Sequence, residues 1–254
     1  MTVIAADIGN TSTSMGLVGH KRVIKICRLP TYKCTIREIE AQLREMLGGR
    51  KETAVPAIIA SVVPRRTDVW KRAFFNVTGH KPLLLTHQLQ LGIGIDYPRP
   101  SRIGADRLAN AVGAVARYGS PVIVADFGTA LTFDVIDDRP AYVGGVIAPG
   151  LPLMTDYLPK RTALLPSFEI KGYCRHIGRS TLGAMQIGAK IGYLGMVGEI
   201  YRHICEGLAH RGRIPLVATG GYARWVVDGS QLDAEVDPSL TLFGLGKVFQ
   251  LNRG

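Results

Sequence analysis

Val3-Ile-Ala-Ala-Asp7-Ile-Gly9-Asn-Thr-Ser-Thr13 and Val122-Ile-Val-Ala-Asp126-Phe-Gly128-Thr-Ala-Leu-Thr132 are two copies of one stretch. Ala6, Asp7, Gly9 and Thr13 match Ala125, Asp126, Gly128 and Thr132 at a constant offset of 119. In each copy four apolar residues run into an aspartate and a glycine, the pattern of a buried strand closing in a tight turn, and a second strand follows. One such junction is common in any fold. Two in register point to a duplicated α/β unit.

The residue types in the turn suggest its chemistry. Glycine and threonine in a tight turn expose backbone N–H groups and hydroxyls toward a phosphate chain. A carboxylate at the strand end can hold a hydrated cation, which bridges phosphate oxygens. Two such hairpins predict a nucleotide triphosphate clamped between two domains. Other phosphate motifs fail: Gly244-Leu-Gly-Lys247 is a fragment of a P-loop, and Gly92-Ile-Gly94 lacks the third glycine of a dinucleotide fingerprint.

Outward from the first copy, Ser14–Val18 and Arg22–Arg28 read as strands. Thr35–Leu47 reads as an amphipathic helix, with Ile36, Ile39, Leu43, Met46 and Leu47 on one face and Gly48-Gly49 ending it. Ala57–Val63 is a strand, Thr67–Thr78 a helix, Pro82–Leu85 a strand, 86–103 a loop, and Asp106–Arg117 a helix. The second copy restarts the pattern. Strands at Pro121–Ala125, Thr132–Ile136 and Ala141–Ala148 lead to a turn at Pro149-Gly150-Leu151-Pro152 and a helix. A long helical stretch, Thr181–Leu208, precedes a strand, Ile214–Ala218, that ends in Thr219-Gly220-Gly221. A closing helix starts near Leu242. Alternating strands and helices make the class α/β, and the duplication divides it into residues 1–117 and 118–254.

Composition bounds the rest. A chain of 254 residues with 46% hydrophobic and 20% charged residues is neither disordered, collagen-like nor a coiled coil. Its 31 Lys and Arg against 20 Asp and Glu give a net charge of +11. Residues 1–127 carry 18 of those basic residues and 9 acidic ones, so the surplus sits mostly in the first half. Such a surplus suits a polyanionic partner. Arg65 and Arg66 form a basic cluster, and no basic run is interleaved with aromatic residues as in single-strand binders. Cys27, Cys34, Cys174 and Cys205 form no CxxC pair and read as free thiols in a reducing compartment. The apolar opening reaches a charge at Asp7, and no uncharged apolar run approaches the roughly 20 residues of a membrane helix, so a cytoplasmic protein is expected.

Further motifs are ordered along the chain: Tyr97-Pro98 ahead of Gly104-Ala-Asp-Arg107, Asp126-Phe-Gly-Thr-Ala130 with Thr132 and Asp134, Gly144-Gly-Val-Ile-Ala-Pro-Gly150, Thr181, and Thr219-Gly220-Gly221. Together with Asp7-Ile-Gly-Asn-Thr11 they resemble the acetate and sugar kinase/actin/heat-shock-chaperone ATPase superfamily. More narrowly, they resemble the type III pantothenate kinases over nearly the whole length. The resemblance implies two ribonuclease-H-like, actin-like ATPase domains with a nucleotide cleft between them. It implies ATP-dependent phosphorylation of pantothenate to 4'-phosphopantothenate, the first step of coenzyme A synthesis. It also implies Mg²⁺, a monovalent cation (K⁺ or NH₄⁺) and a homodimer.

Carried over residue by residue, the resemblance makes Asp106 the base that takes the proton of the primary hydroxyl, as a carboxylate can. Asp106 could equally cap the helix that follows it. Asp7, Ile8, Gly9, Asn10, Thr11, Ser12, Thr13 and Ser14 form the first phosphate loop, with Asp7 near Mg²⁺. Asp126 is the monovalent-cation ligand, and Thr129 touches the nucleotide. Tyr97, Gly104, Ala105, Asp106, Arg107 and Thr181 contact the substrate, Arg107 meeting its carboxylate. Gly220 and Gly221 suit an adenosine-binding turn. The glycines at 183, 188, 192, 195 and 198 mark close backbone approach, either within the core or across a dimer. Two other readings stay open at this point: a kinase of the same fold acting on another small hydroxyl acceptor, and a non-catalytic regulatory or nucleic-acid-binding relative.

Overall fold

The computed structural model describes residues 2–48, 55–170, 176–208 and 212–253. Gly49 and Cys174 lie outside them; Cys27, Cys34 and Cys205 are free thiols.

The first sheet is built from β1 (Val3–Ile8), β2 (Ser12–Val18), β3 (Val23–Pro30), β4 (Ala57–Ser61) and β5 (Leu83–Leu84), in the order β3-β2-β1-β4-β5. β1 and β2 form an antiparallel hairpin, and β4 joins β1 in parallel. Helix α1 (Ile36–Leu47) opens on a capping box, in which Thr35 and Glu38 satisfy each other's backbone N–H groups. Gly48 closes it in the left-handed conformation, with φ 56°. α2 (Pro64–Thr78) starts three residues before the expected Thr67. Pro64 stands in its first turn, where its missing N–H costs nothing, so Arg65 and Arg66 are helical. Ile39 and Leu43 of α1 pack with Trp70 and Phe74 of α2 over Ile4 and Ile59 of the sheet, all fully buried.

The expected loop 86–103 holds a short strand β6 (Gly94–Ile95) and a 3-10 turn, Pro100–Arg102. α3 (Ala105–Tyr118) leads into β7 (Val122–Phe127), β8 (Ala130–Ile136) and β9 (Ala141–Pro149). α4 (Leu151–Arg161), α5 (Thr181–Gly207), β10 (Leu216–Thr219), α6 (Ala223–Gly229), β11 (Ala234–Val236) and α7 (Leu240–Leu251) complete the chain. α6 and β11 carry no periodic signal long enough to read from sequence. The second sheet runs β11-β10-β7-β8-β9-β6. Read from β9 to β11 it repeats the first, strand for strand, with β6 added at one edge.

The copies match in burial as well as in order. β1 and β7 share one pattern of buried positions, and so do β2 and β8. The offset changes across the turn, however. Gly9 N–H donates to Ser12 C=O in the first copy, and Gly128 N–H to Ala130 C=O in the second. The second turn is one residue shorter, so the strand positions after it pair at an offset of 118. Thr132 therefore corresponds to Ser14, and buried Thr13 to buried Leu131.

The chain divides into two compact units. The first comprises Met1–Val122, Asp134–Gly144 and Ser239–Gly254; the second comprises Ile123–Phe133 and Gly145–Pro238. Among the described residues, no helix is long and apolar enough to cross a membrane.

Candidate active site

In the first unit, the hairpin β1–β2 presents Asn10, Thr11 and Ser12 exposed, with Asp7, Gly9 and Ser14 half-buried and Ile8 in the core. Thr13 is buried, and its hydroxyl lies 3.0 Å from that of Thr31. Thr31, also buried, donates its single hydroxyl proton to the Gly9 carbonyl at 2.7 Å. Thr13 must therefore be the donor to Thr31. The Thr31 N–H bonds the Thr11 carbonyl at 3.1 Å, so one residue after β3 ties the turn at two points. Nothing in the sequence marks Thr31.

Register brings a further residue to this hairpin. Asp7 lies opposite Ser14, and Ser14 lies opposite Arg28. Directly opposed residues share a sheet face, so the three form one row. Arg28 Nε donates to Ser14 Oγ at 3.2 Å. One cation of the basic first half thus stands beside the proposed phosphate turn.

Asp106 and Arg107 open α3. The helix is held from behind: a side chain at Gly244 of α7 would strike the Ala109 carbonyl, and one at Gly113 would come within 2.7 Å of the Leu240 carbonyl. The two backbones therefore meet without side chains between them. Thr241 adds a hydrogen bond to Asn110 Oδ1 at 2.7 Å. The N-cap is Gly104, which offers no side chain. Asp106 sits in the first turn, and its Oδ1 accepts the Arg107 N–H at 2.8 Å. It thus satisfies one of the unpaired first-turn donors from inside the helix, where the dipole favours an anion. A Cβ at residue 104 would collide with Asp106 Oδ1, so the glycine makes room for the carboxylate. Burial raises the Asp106 pKa above the ordinary carboxylate value, while the Arg107 N–H and charge pull it back.

Arg107 is tied to a carboxylate in β8. Its Nε donates to Asp134 Oδ1 at 2.6 Å. The Tyr142 hydroxyl donates to the same oxygen at 3.0 Å, and the Tyr142 ring lies 5.7 Å from the guanidinium carbon. Tyr97 meets Tyr142 edge-on, at 6.0 Å between ring centres. Asp134 is wholly buried, and burial pushes its pKa up to about 7 against the pull of Arg107. Asp106, Arg107 and Tyr97 therefore fall in one constellation with Asp134 and Tyr142. The sequence signal for Asp134 was a charge inside an apolar strand; Tyr142 gave none.

In the second unit, the turn after Asp126 is pressed between two glycine turns. A Cβ at Gly150 would strike the carbonyls of Gly128 and Thr129. Gly220, with φ 91°, follows Thr219, which lies opposite Asp126 in the sheet. A Cβ at Gly220 would sit 2.5 Å from Asp126 Oδ1 and 2.7 Å from the Phe127 nitrogen. Tyr222 N–H bonds the Phe127 carbonyl at 3.1 Å. Thr129 is exposed at the turn, Gly221 lies just beyond Gly220, and Thr181 is exposed at the start of α5, after the N-cap Ser180. Ala105 is the first residue of α3.

The described residues contain no cluster of three or more His, Cys, Asp or Glu that could hold a metal ion by themselves. A hard divalent ion bound through one carboxylate, waters and nucleotide phosphates needs no such cage. A strand-end carboxylate beside an exposed turn fits that mode.

A family model described as type III pantothenate kinase matches residues 3–203. A type III pantothenate kinase of Akkermansia muciniphila is 44% identical over 254 residues, covering 99% of this chain and 100% of the relative. One of Methylacidiphilum infernorum is 38% identical over 251 residues, covering 98% and 88%. Among solved structures, a ROK family glucokinase from Streptomyces griseus, in complex with glucose and AMPPNP, superposes with a TM-score of 0.55 at 14% identity, covering 98% of this chain and 99% of that one. MreB 5 of Spiroplasma citri, bound to AMPPNP, gives 0.51 at 10% identity, covering 98% and 96%. At such identities these structures bear on the fold, which is that of the actin-like ATPases.

Proposed function

The chain belongs to the type III pantothenate kinase family, ATP-dependent phosphotransferases that make 4'-phosphopantothenate in the first step of coenzyme A biosynthesis, and we propose that Asp106 is the base of that reaction. The observation that carries this role is the placing of Asp106. Its carboxylate is fixed at a helix start, at a glycine that makes room for it, beside an arginine anchored by a buried partner. Burial raises its pKa above the ordinary carboxylate value, which makes the carboxylate a stronger base.

Arg107 takes the carboxylate of pantothenate as a planar, permanently charged donor. We assign Tyr97, Gly104, Ala105 and Thr181 the role of acceptor contacts. The stretch Asp7 to Ser14 receives the phosphates through exposed backbone and the hydroxyls of Thr11 and Ser12, while Thr13 acts from behind through Thr31. Thr129 contributes from the second hairpin, and Gly220 and Gly221 form the adenosine turn. A kinase of this fold uses ATP with a divalent metal. We assign Mg²⁺ to that role, near Asp7, and K⁺ or NH₄⁺ to Asp126; the metal neutralises phosphate charge when bound. We also propose that the sequence duplication runs over the halves 1–117 and 118–254, a division that the compact units do not follow residue for residue, since Asp134–Gly144 and Ser239–Gly254 group with the first unit.

The same proposal includes a homodimer through α4 and α5. Leu153, Tyr157, Leu182 and Ile191 are exposed there, and a Cβ at Gly188, Gly195 or Gly198 would meet none of the described residues within 4 Å. Packing among the described residues does not account for those three glycines, and we assign them to close approach of a second copy. A cytoplasmic location completes the reading. Its test is ATP-dependent phosphorylation of a panel of small hydroxyl acids and sugars, in which pantothenate should lead.

A further inference from the structure

Asp134 is an unusual residue for the interior of a strand. It lies in β8 between Phe133 and Val135, both buried, and is itself 0% exposed. Its Oδ1 accepts from Arg107 Nε and from the Tyr142 hydroxyl, while its Oδ2 is buried with no hydrogen-bond partner. Withdrawing a carboxylate from water is costly, and a buried ion pair often contributes less stability than apolar residues of the same volume. A half-satisfied carboxyl group is worse still. Stability therefore does not account for Asp134.

Its bond to Arg107 does. A guanidinium held at Nε has its plane and direction set, and its remaining donors lie in that plane. An arginine side chain is otherwise rich in rotamers, and ordering it during binding weakens affinity. The Tyr142 hydroxyl fixes the Asp134 oxygen that Arg107 uses, and Tyr97 packs edge-on against the Tyr142 ring. We propose that Asp134, steadied by Tyr142, is a positioning residue that pre-orients Arg107 to receive the carboxylate of the acceptor. The inference rests on the reading of Arg107 given above. Being wholly buried, Asp134 acts through Arg107 without touching substrate.

The test compares steady-state kinetics of the full-length wild type, Asp134→Asn, Arg107→Ala and the double variant. The acceptors are pantothenate and pantothenol, in which a neutral hydroxyl replaces the carboxylate. Asp134→Asn should raise the KM for pantothenate about 10- to 100-fold, with kcat and the ATP KM changed less than about threefold. With pantothenol the rise should vanish. The double variant should be no worse than Arg107→Ala, because a residue acting through another adds nothing once that other is gone. Multiplicative penalties in the double variant, or equal rises for both acceptors, would overturn the inference while leaving the kinase reading intact. A wild type inactive on pantothenate would overturn both. If Asp134→Asn does not fold, Tyr142→Phe serves: a smaller rise confined to pantothenate supports the role, and an acceptor-independent effect contradicts it.

Discussion

The hydroxyl of Thr31 donates to the carbonyl of Gly9 at 2.7 Å, across the 22 residues that separate them in sequence. Thr31 is buried and accepts from Thr13, so one short chain of hydroxyls fixes the back of a turn whose front is exposed. A phosphate-binding turn works by holding its N–H groups in place before the ligand arrives. Thr31→Val keeps the shape, removes the hydroxyl and leaves the Gly9 carbonyl and the Thr13 hydroxyl unpaired. The expected result is a loss of about 1–3 kcal/mol of stability and a higher KM for ATP, with the pantothenate KM unchanged. Thr31→Ser should restore both. Parallel shifts in both KM values would show that the hydroxyl supports the fold alone.

Asp134 also sets a pH dependence of stability. The charged and titratable groups facing it are Arg107, Tyr142 and Asp106. Its pKa is about 7 in the folded chain, against roughly 3.9 for an unperturbed aspartate. A raised folded value means that the native state holds its proton more tightly. The associated stability is fully present below the unfolded value and is lost as pH rises through the folded one. Urea unfolding between pH 4 and 8 should therefore show wild-type stability falling relative to Asp134→Asn (roughly the interval between the two values). A difference that is flat with pH would mean that the carboxyl is ionised throughout.

Much of this architecture is legible in the chain itself. The duplicated strand–aspartate–glycine junction announces the fold, because a buried strand and a tight turn leave strong local signals. The sheet orders and the burial of β1 and β7 repeat accordingly. The one-residue shortening of the second turn left no signal, because the Thr13–Thr132 match conceals it. Asp106 and Arg107 stood out as one motif and Asp134 as part of another, but no sequence signal joined them, and Tyr142 gave none. Asp134 and Tyr142 lie 27 and 35 positions beyond Arg107, and only the path of β8 and β9 brings them together.

Glycine inside a helix costs about 1 kcal/mol relative to alanine. Among the described residues, Gly195 of α5 has no neighbour within 4 Å of where a side chain would stand. In an isolated chain, Gly195→Ala should raise the melting temperature. If a second copy covers that face, the methyl group should instead weaken association. Sedimentation at micromolar concentration should find the wild type dimeric and Gly195→Ala shifted toward monomer. A monomeric wild type would contradict the dimer.

Asp126 has a separable signature. Replacing it with asparagine should abolish stimulation by K⁺ and raise the KM for ATP, leaving the pantothenate KM nearly unchanged. Gly220→Ala should act in the same direction, since its Cβ would press on Asp126 Oδ1 from 2.5 Å in a strained backbone conformation. Retained K⁺ stimulation in Asp126→Asn would place the monovalent cation elsewhere.

The base assignment rests on Asp106, so the most direct measurement is the turnover of Asp106→Asn set beside its affinity for ATP. Asparagine keeps the shape and can still accept the Arg107 N–H, but it cannot take a proton from the acceptor hydroxyl. Turnover with saturating pantothenate should fall by about a hundred- to ten-thousand-fold, with ATP binding by calorimetry close to that of the wild type. Turnover near the wild-type rate in a variant that binds ATP normally would contradict Asp106 as the base.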